Sequence, residues 1–293
     1  MPDVLDIFSG TGWGVACREQ GLSELGIDSD ANVIATRHAA GMESVHADVS
    51  TLDPAKWAGV DGLIASPPCQ DFSIGGLRAG IDGERGKLTF EALRYALAIR
   101  PRWMAFEQVP QVAPYFESFA MELRANGYSV AVGVLGAERF GVPTIRRRVF
   151  LVANRDVPVT LPAPTHGRFR WRAPDAVTPG LPRWRSVREV LDLPADLALW
   201  GTVRSADSPH RRAYDLRSLD WPSVCVTRFS ASWWYKAADG TPHRQATIDE
   251  LARVQSYPPG FPFVGARRTQ MIHVANCVPP TMAGHVIRAA RGC

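Results

Sequence analysis

Short apolar runs, most of them stopping at a turn or a single acid, recur through the first 154 residues, and that rhythm limits what the chain can fold into. Val4-Leu5-Asp6-Ile7-Phe8 ends in Ser9-Gly10-Thr11-Gly12, Leu25-Gly26-Ile27 ends at Asp28, and Val45-His46-Ala47 ends at Asp48. Gly62-Leu63-Ile64-Ala65-Ser66 is stopped by Pro67-Pro68, Trp103-Met104-Ala105-Phe106 ends at Glu107, and Val149 to Ala153 is a late run. Apolar runs of this length, bounded by turn residues, read as buried strands. Helical stretches separate them: from the glycine turn to Gly21, from Ala31 to Ala40, and over 88–99, where Leu88, Leu93, Leu97 and Ile99 have helical spacing. The alternation predicts an α/β, doubly wound, mostly parallel sheet. Such sheets bind ligands beyond the carboxyl ends of their strands. Asp28, Asp48, Cys69 and Glu107 all lie just past a predicted strand, so one crevice can gather them.

The pattern changes near Asn154. Pro158, Pro162, Pro164, Pro174, Pro179 and Pro182 forbid a long helix there. Residues 165–188 carry six arginines, among them Arg168, Arg170 and Arg172, against the single acid Asp175. Phe169, Trp171 and Trp184 are interleaved; core packing is the expectation for Trp171 and Trp184, while Trp233 and Trp234 fit core or surface equally. The division predicted is a catalytic and cofactor-binding domain over 1–154, completed by the C-terminal segment 270–293, and a smaller loop-rich domain over 155–269. The formal charge of +4 is a mild bias toward a polyanionic partner. Only Lys56, Lys87 and Lys236 are lysines; arginine suits bidentate contacts to phosphate and guanine, but a coding bias explains the choice equally well. The five scattered cysteines form no CxxC pair, so no metal site is expected and a reducing compartment is. The N-terminus lacks a signal-like apolar region and no uncharged run reaches membrane-spanning length, so a soluble, cytoplasmic protein is expected.

Gly10, Gly12 and Gly14 follow the first strand with GxGxG spacing, which lets backbone approach a ligand but is not the GxGxxG dinucleotide fingerprint. Asp28, at the end of the second strand, is placed for ribose hydroxyls, and Asp48 for an adenine amino group. Singly, each acid reads as a surface strand end; together with the glycines they point to a nucleoside-bearing cofactor. A lone cysteine is usually a small buried hydrophobe. Cys69, after Pro67-Pro68 and ahead of a polar stretch with Gly75, Gly76, Gly80, Gly83 and Gly86, is instead presented on a loop able to close over a substrate. Glu107 follows a buried strand, where a partly desolvated carboxyl can donate a proton. Alternation along the strand after Thr144 sends Arg146 and Arg148 to one face and Arg147 to the other.

In this order, Phe8-Ser9-Gly10-Thr11-Gly12, Pro67-Pro68-Cys69-Gln70, Gly80 to Gly86, Glu107-Gln108-Val109, Leu251 to Pro258 and Asn276-Cys277-Val278-Pro279-Pro280 resemble the C5-cytosine-specific DNA methyltransferase family of bacterial or phage type. The resemblance runs from Asp6 to about Ala290 and implies a Rossmann-like methyltransferase fold with a smaller target-recognition domain. It implies transfer of a methyl group from S-adenosylmethionine to carbon 5 of a flipped-out cytosine in a short duplex DNA sequence, through a covalent Cys69 adduct at carbon 6. Glu107 would act on N3 and the exocyclic amine, while Arg146 and Arg148 match the family's paired arginines, the first contacting the base O2. Phe8, Gly10, Thr11, Gly12, Asp28, Asp48, Pro68, Asn276 and Val278 would hold the cofactor. Gln70, Ser73, Arg85 and Arg228 would touch DNA, Arg228 in a segment reaching Lys236. The partner implied is double-stranded DNA, with the enzyme a monomer and restriction–modification its setting.

Three positions depart from the family pattern: Gln108 for Asn, Thr144 for Gln and Ala275 for Gly. The same active site would serve a methyltransferase of tRNA, since stacked single-stranded bases also use aromatic residues. A larger group delivered by a modified cofactor also remains open. A nicotinamide oxidoreductase is disfavoured by the GxGxG spacing and the Pro-Pro-Cys motif. A cysteine hydrolase lacks a histidine near a predicted strand end, His46 excepted, and a non-catalytic DNA-binding protein has no use for Cys69, Glu107 and Arg146 together.

Overall fold

The computed structural model describes residues 1–68, 84–202, 216–228 and 230–293. The chain runs through β1 (Val4–Ile7), α1 (Gly12–Glu19), β2 (Glu24–Asp28), α2 (Ala31–Ala39), β3 (Glu43–His46), β4 (Gly62–Ala65), α3 (Glu84–Lys87), α4 (Thr89–Ile99), β5 (Trp103–Gln108), α5 (Ala113–Ala125), β6 (Ser129–Gly136), β7 (Thr144–Ile145) and β8 (Arg147–Asn154). Seven strands form one sheet in the order β3-β2-β1-β4-β5-β8-β6. β1 pairs in parallel with β2 and β4, β2 with β3, and β4 with β5. β8 runs antiparallel to β5 and to β6. This is the α/β, mostly parallel, Rossmann-like sheet expected. The sequence reading did not mark β6, although Val130 to Leu135 forms an apolar run there.

The central strands are buried on both faces, which is why they read as short apolar runs. Leu5, Ile7, Leu63, Ala65, Met104 and Phe106 pack with Tyr95 of α4 and with Phe116 and Phe119 of α5. Gly62 opens β4 because a Cβ there would collide with the Trp103 ring. The Tyr95 hydroxyl donates to the Val49 carbonyl at 2.9 Å, and burial pushes its pKa up to about 12. Asp30 caps α2 by accepting from the Asn32 amide at 2.8 Å.

Contacts divide the chain into two compact units. The first comprises Met1–Gly136, Arg147–Ala163 and Met282–Cys293; the second comprises Ala137–Arg146 and Pro164–Thr281. The second holds a sheet of β9 (Leu197–Thr202), β10 (Leu216–Ser218), β12 (Trp233–Ala237) and β13 (Pro242–Gln245) in the order β10-β9-β12-β13. It also holds the pair of β7 with β11 (Ser223–Val224), and α6 (Ile248–Val254) and α7 (Arg267–Asn276). Trp184 packs edge-on against Phe169 and is buried, as expected, whereas Trp171 is 44% exposed. Trp233 is also buried, against Trp200. α8 (Pro280–Arg291) returns most of its length to the first unit. There the Asn154 side-chain amide donates to the Ala290 carbonyl at 2.9 Å, and Met282, Val286 and Ile287 are fully buried. Among the described residues no helix is long and apolar enough to cross a membrane.

One buried cluster breaks the apolar rule. Asp6 sits on β1 with no exposure, Glu24 opens β2, and the fully buried Arg37 reaches in from α2. Arg37 Nη2 meets both Glu24 oxygens at 2.8 and 2.6 Å, and its Nε donates to Ser44 Oγ at 2.7 Å. Among the described residues no N–H or O–H donor reaches either Asp6 oxygen, while Glu24 lies alongside. The guanidinium hydrogen-bonds Glu24 and not Asp6, so the Asp6 carboxyl is buried beside a like-charged neighbour. Burial, reinforced by the Glu24 charge, holds the Asp6 carboxyl well above its ordinary range.

An acid whose folded pKa is raised favours the fold most below its ordinary value and loses that contribution as pH climbs toward the raised one. Asp6→Asn keeps a donor toward Glu24 and removes the titration. The melting temperature of Asp6→Asn minus that of wild type is therefore expected to increase as pH rises from the ordinary Asp value of 3.8. Thermal melts across a pH series check this; a difference that stays flat with pH rules out a raised Asp6 carboxyl.

Candidate active site

The chain leaves β1 in one direction toward β2 and β3 and later in the other toward β4 and β5, so the strand order reverses at β1 and β4. A crevice opens at the carboxyl ends of strands at such a point. The β1 end is an unusual piece of backbone: Phe8 has φ +57° and Gly10 φ +48°. A left-handed Phe is uncommon and strained. A Cβ on Gly10 would meet nothing within 4 Å, so the backbone conformation requires this glycine and the space beside it is open. The Gly10 amide donates to Asp28 Oδ2 at 3.1 Å, and Asp28 Oδ1 accepts from the Asp30 amide at 2.9 Å. Asp48, exposed just past β3, accepts from the Ser50 amide at 2.9 Å. Thr11 is buried and Gly12 begins α1.

Two ties that the sequence reading missed hold the next strand ends. The Trp13 indole of α1 donates to Ser66 Oγ at 2.8 Å, joining the glycine turn to the residue after β4. At the end of β5, Gln108 Nε2 donates to the Pro67 carbonyl at 2.7 Å and Gln108 Oε1 accepts from the Val109 amide at 2.6 Å. The longer side chain at this departure thus still anchors the Pro67-Pro68 turn. A Trp inside the glycine turn was the available signal for the first tie; nothing in the spacing announced the second. Pro68 is half-buried and leads directly to Cys69. Cys69, Gln70 and Ser73 lie outside the described residues, as does the side chain of Arg85, which falls within α3.

Glu107 is 5% exposed at the end of β5. Arg148 of β8 pairs with it, Nε to Oε1 at 3.0 Å, and donates through Nη1 to the Arg147 carbonyl at 2.7 Å. Antiparallel pairing of β5 with β8 brings the two side chains together. Arg147 is exposed while Arg146 and Arg148 turn inward, as the alternation predicts. Arg146 belongs to the second unit, where it is buried and donates through Nη1 to the Ala275 carbonyl at 2.8 Å. Thr144 Oγ1 donates to the Val224 carbonyl at 3.1 Å in the same unit. The contact made by residue 275 comes from its backbone, so alanine there keeps it. Asn276 is exposed at the end of α7, Val278 is buried, and Arg228 is exposed, all in the second unit.

The first unit therefore aligns three neighbouring strand ends. β1 supplies an open glycine turn flanked by an acid, β4 a rigid Pro67-Pro68 turn, and β5 a buried carboxylate matched to a guanidinium. A family model described as C-5 cytosine-specific DNA methylase matches residues 3–179. The chain is 28% identical over 258 residues to the type II methyltransferase M1.HphI of Haemophilus parahaemolyticus, covering 78% of this chain and 68% of that one. It is 27% identical over 310 residues to the type II methyltransferase M.NlaX of Neisseria lactamica, covering 95% and 93%. The solved structure of the S. pombe Dnmt2 methyltransferase superposes with a TM-score of 0.71 at 18% identity, covering 97% of this chain and 96% of that one, which shows a shared fold.

Gln108→Leu keeps the bulk and removes both amide hydrogen bonds, leaving the Pro67 carbonyl and the Val109 amide without those partners. A loss of about 1–3 kcal/mol is expected for such unsatisfied buried groups. Urea denaturation measures it, and an unchanged midpoint refutes the anchoring role.

Proposed function

The chain belongs to the C-5 cytosine-specific DNA methylase family, and from that premise we propose that it methylates carbon 5 of a cytosine flipped out of a short duplex DNA sequence, acting as a monomer. The observation that carries this reading is the alignment of the β1, β4 and β5 ends, which puts the Gly10 turn, the Pro67-Pro68 turn before Cys69, and Glu107 along one edge. The glycine turn suits a nucleoside-bearing cofactor. Gly10 has open space where a Cβ would stand, Asp28 is half-buried beside it, and Asp48 is exposed past the neighbouring strand. Phe8, Gly10, Thr11, Gly12, Asp28, Asp48 and Pro68 would hold S-adenosylmethionine, together with Asn276 and Val278. When bound, it supplies an electrophilic methyl group.

Carbon 5 of cytosine is a poor nucleophile until an electron pair is delivered to the ring. The Cys69 thiolate attacks carbon 6, forming a carbon–sulfur bond and moving density to carbon 5. Glu107, protonated on one oxygen, donates to N3 while its other oxygen accepts from the exocyclic amine, and so stabilises the density that reaches N3. Arg148 orients the Glu107 carboxyl through its Nε contact to Oε1. Once carbon 5 carries the methyl group, loss of its proton to a base restores the ring double bond and expels the thiolate. Arg146, held on the Ala275 carbonyl within the second unit, would contact the base O2 by the family resemblance. The target cytosine must leave the stack to react, and Gln70, Ser73, Arg85 and Arg228 are placed in this reading as DNA contacts. Residues 155–269 act as the target-recognition domain, with Arg168, Arg170 and Arg172 exposed on it.

Incubation with methyl-labelled S-adenosylmethionine is expected to label duplex DNA, and Cys69→Ser to lower the rate by on the order of 10⁴-fold or more. Glu107→Gln is expected to lower it roughly 10²–10⁴-fold. Equal labelling by wild type and Cys69→Ser defeats the mechanism, and labelling of tRNA in preference to duplex DNA defeats the substrate. Exchanging residues 155–269 for the corresponding segment of a relative should carry the methylated sequence with it; unchanged specificity sinks the recognition assignment.

A further inference from the structure

Arg37 does more than neutralise Glu24. Its Nη1 donates to the Gly10 carbonyl at 3.1 Å, while Nη2 also donates to the Glu43 carbonyl at 3.1 Å and Nε to Ser44 Oγ. Every nitrogen of the guanidinium is therefore directed, and one arm points at the glycine turn. Two glycines make the slot. A Cβ on Gly26 would fall inside the guanidinium, and a Cβ on Gly14 would come within 3.3 Å of Arg37 Nη1 and 3.1 Å of Glu24 Oε2. Both slot glycines lie outside the left-handed region, so crowding and not backbone conformation accounts for them. The sequence reading used Gly14 only as part of the turn spacing and Gly26 only as a strand residue.

Gly10 is thus gripped at both ends of its peptide frame: its amide by Asp28, its carbonyl by Arg37. We propose that Arg37, buttressed by Glu24 in the slot between Gly14 and Gly26, is a positioning residue that clamps the Gly10 turn in its cofactor-receiving conformation. A guanidinium suits this task because its rigid fork serves a carboxylate, a hydroxyl and carbonyls in fixed directions at once. The clamp touches no reacting atom and acts only through the turn. That the turn receives S-adenosylmethionine rests on the function proposed above; the clamp itself is a property of the fold.

The experiment separates the two. Arg37→Met/Glu24→Gln removes the pair without leaving a buried charge alone, and Arg37→Lys keeps a cation for Glu24 but loses the fork. Hydrogen exchange is followed at residues 9–12 in ligand-free protein, with residues 4–7 of β1 as the internal control. Both variants are expected to exchange roughly tenfold or more faster at 9–12 while 4–7 stay protected. Equilibrium binding of S-adenosylmethionine is expected to weaken roughly tenfold or more, and the KM for the cofactor to rise alike, with kcat at saturating cofactor and the KM for DNA within about twofold of wild type. Unchanged exchange at 9–12 in a folded variant overturns the clamp, as does a fall in kcat with an unchanged cofactor KM. Accelerated exchange in a protein whose wild type fails to bind S-adenosylmethionine supports the clamp and overturns the cofactor assignment instead.

Discussion

β1 hydrogen-bonds in parallel to β2 on one side and to β4 on the other. A parallel pair cannot be closed by a tight hairpin, so each neighbour is reached through a helical crossover. The carboxyl ends of β1, β2, β3, β4 and β5 all point the same way as a result. Everything the proposed chemistry uses in the first unit sits on those ends. A one-strand change in order would separate Glu107 from the Pro67-Pro68 turn, and no local adjustment would restore the distance. β8 breaks the parallel rule for a useful reason: running antiparallel beside β5, it brings Arg148 back to Glu107.

How much of this could be read from residues alone follows from the range of each signal. The parallel strands were legible because burial on both faces leaves a continuous apolar run, and their ends because Gly, Pro and acid interrupt it. β6 was overlooked although Val130 to Leu135 is apolar too; its half-buried place at the sheet edge is set by topology, which the run itself does not encode. Glu107 and the inward face of Arg148 came from local position and period-two alternation, but their pairing depends on strand register, which no local spacing encodes. Trp171 illustrates the same limit: one aromatic among prolines packs in a core or lies exposed according to neighbours distant in sequence, and here it is exposed. The departures at 108, 144 and 275 were visible as changes of side chain, without the contacts those side chains make. In place, a glutamine amide reaches the same turn and a backbone carbonyl does the work at 275.

Charge is handled differently at the two buried carboxylate sites of the first unit. Glu107 has a guanidinium of its own and lies at the carboxyl end of β5. Glu24 pairs with Arg37 beneath the glycine turn with almost no exposure, and Asp6 is buried nearby without a guanidinium of its own. Ion pairs of the second kind seldom add net stability over well-packed apolar residues, because desolvation offsets the attraction. Direction is what they offer in exchange: a guanidinium confined by two glycines has one orientation, and whatever it touches inherits it.

The last helix has a consequence for how the protein is made. The Ala290 carbonyl accepts from Asn154 across 136 residues of sequence, and Met282, Val286 and Ile287 are buried in the first unit. A ribosome emits β1 through β8 long before it reaches α8, and the residues of the second unit emerge in between. Until then the surface that α8 covers stays open to water, and closing so long a loop is slow relative to local folding. The first unit therefore matures last although most of it is synthesised first. A nascent or truncated chain ending before Met282 presents an unfinished apolar face, which is the kind of surface chaperones hold and proteases find.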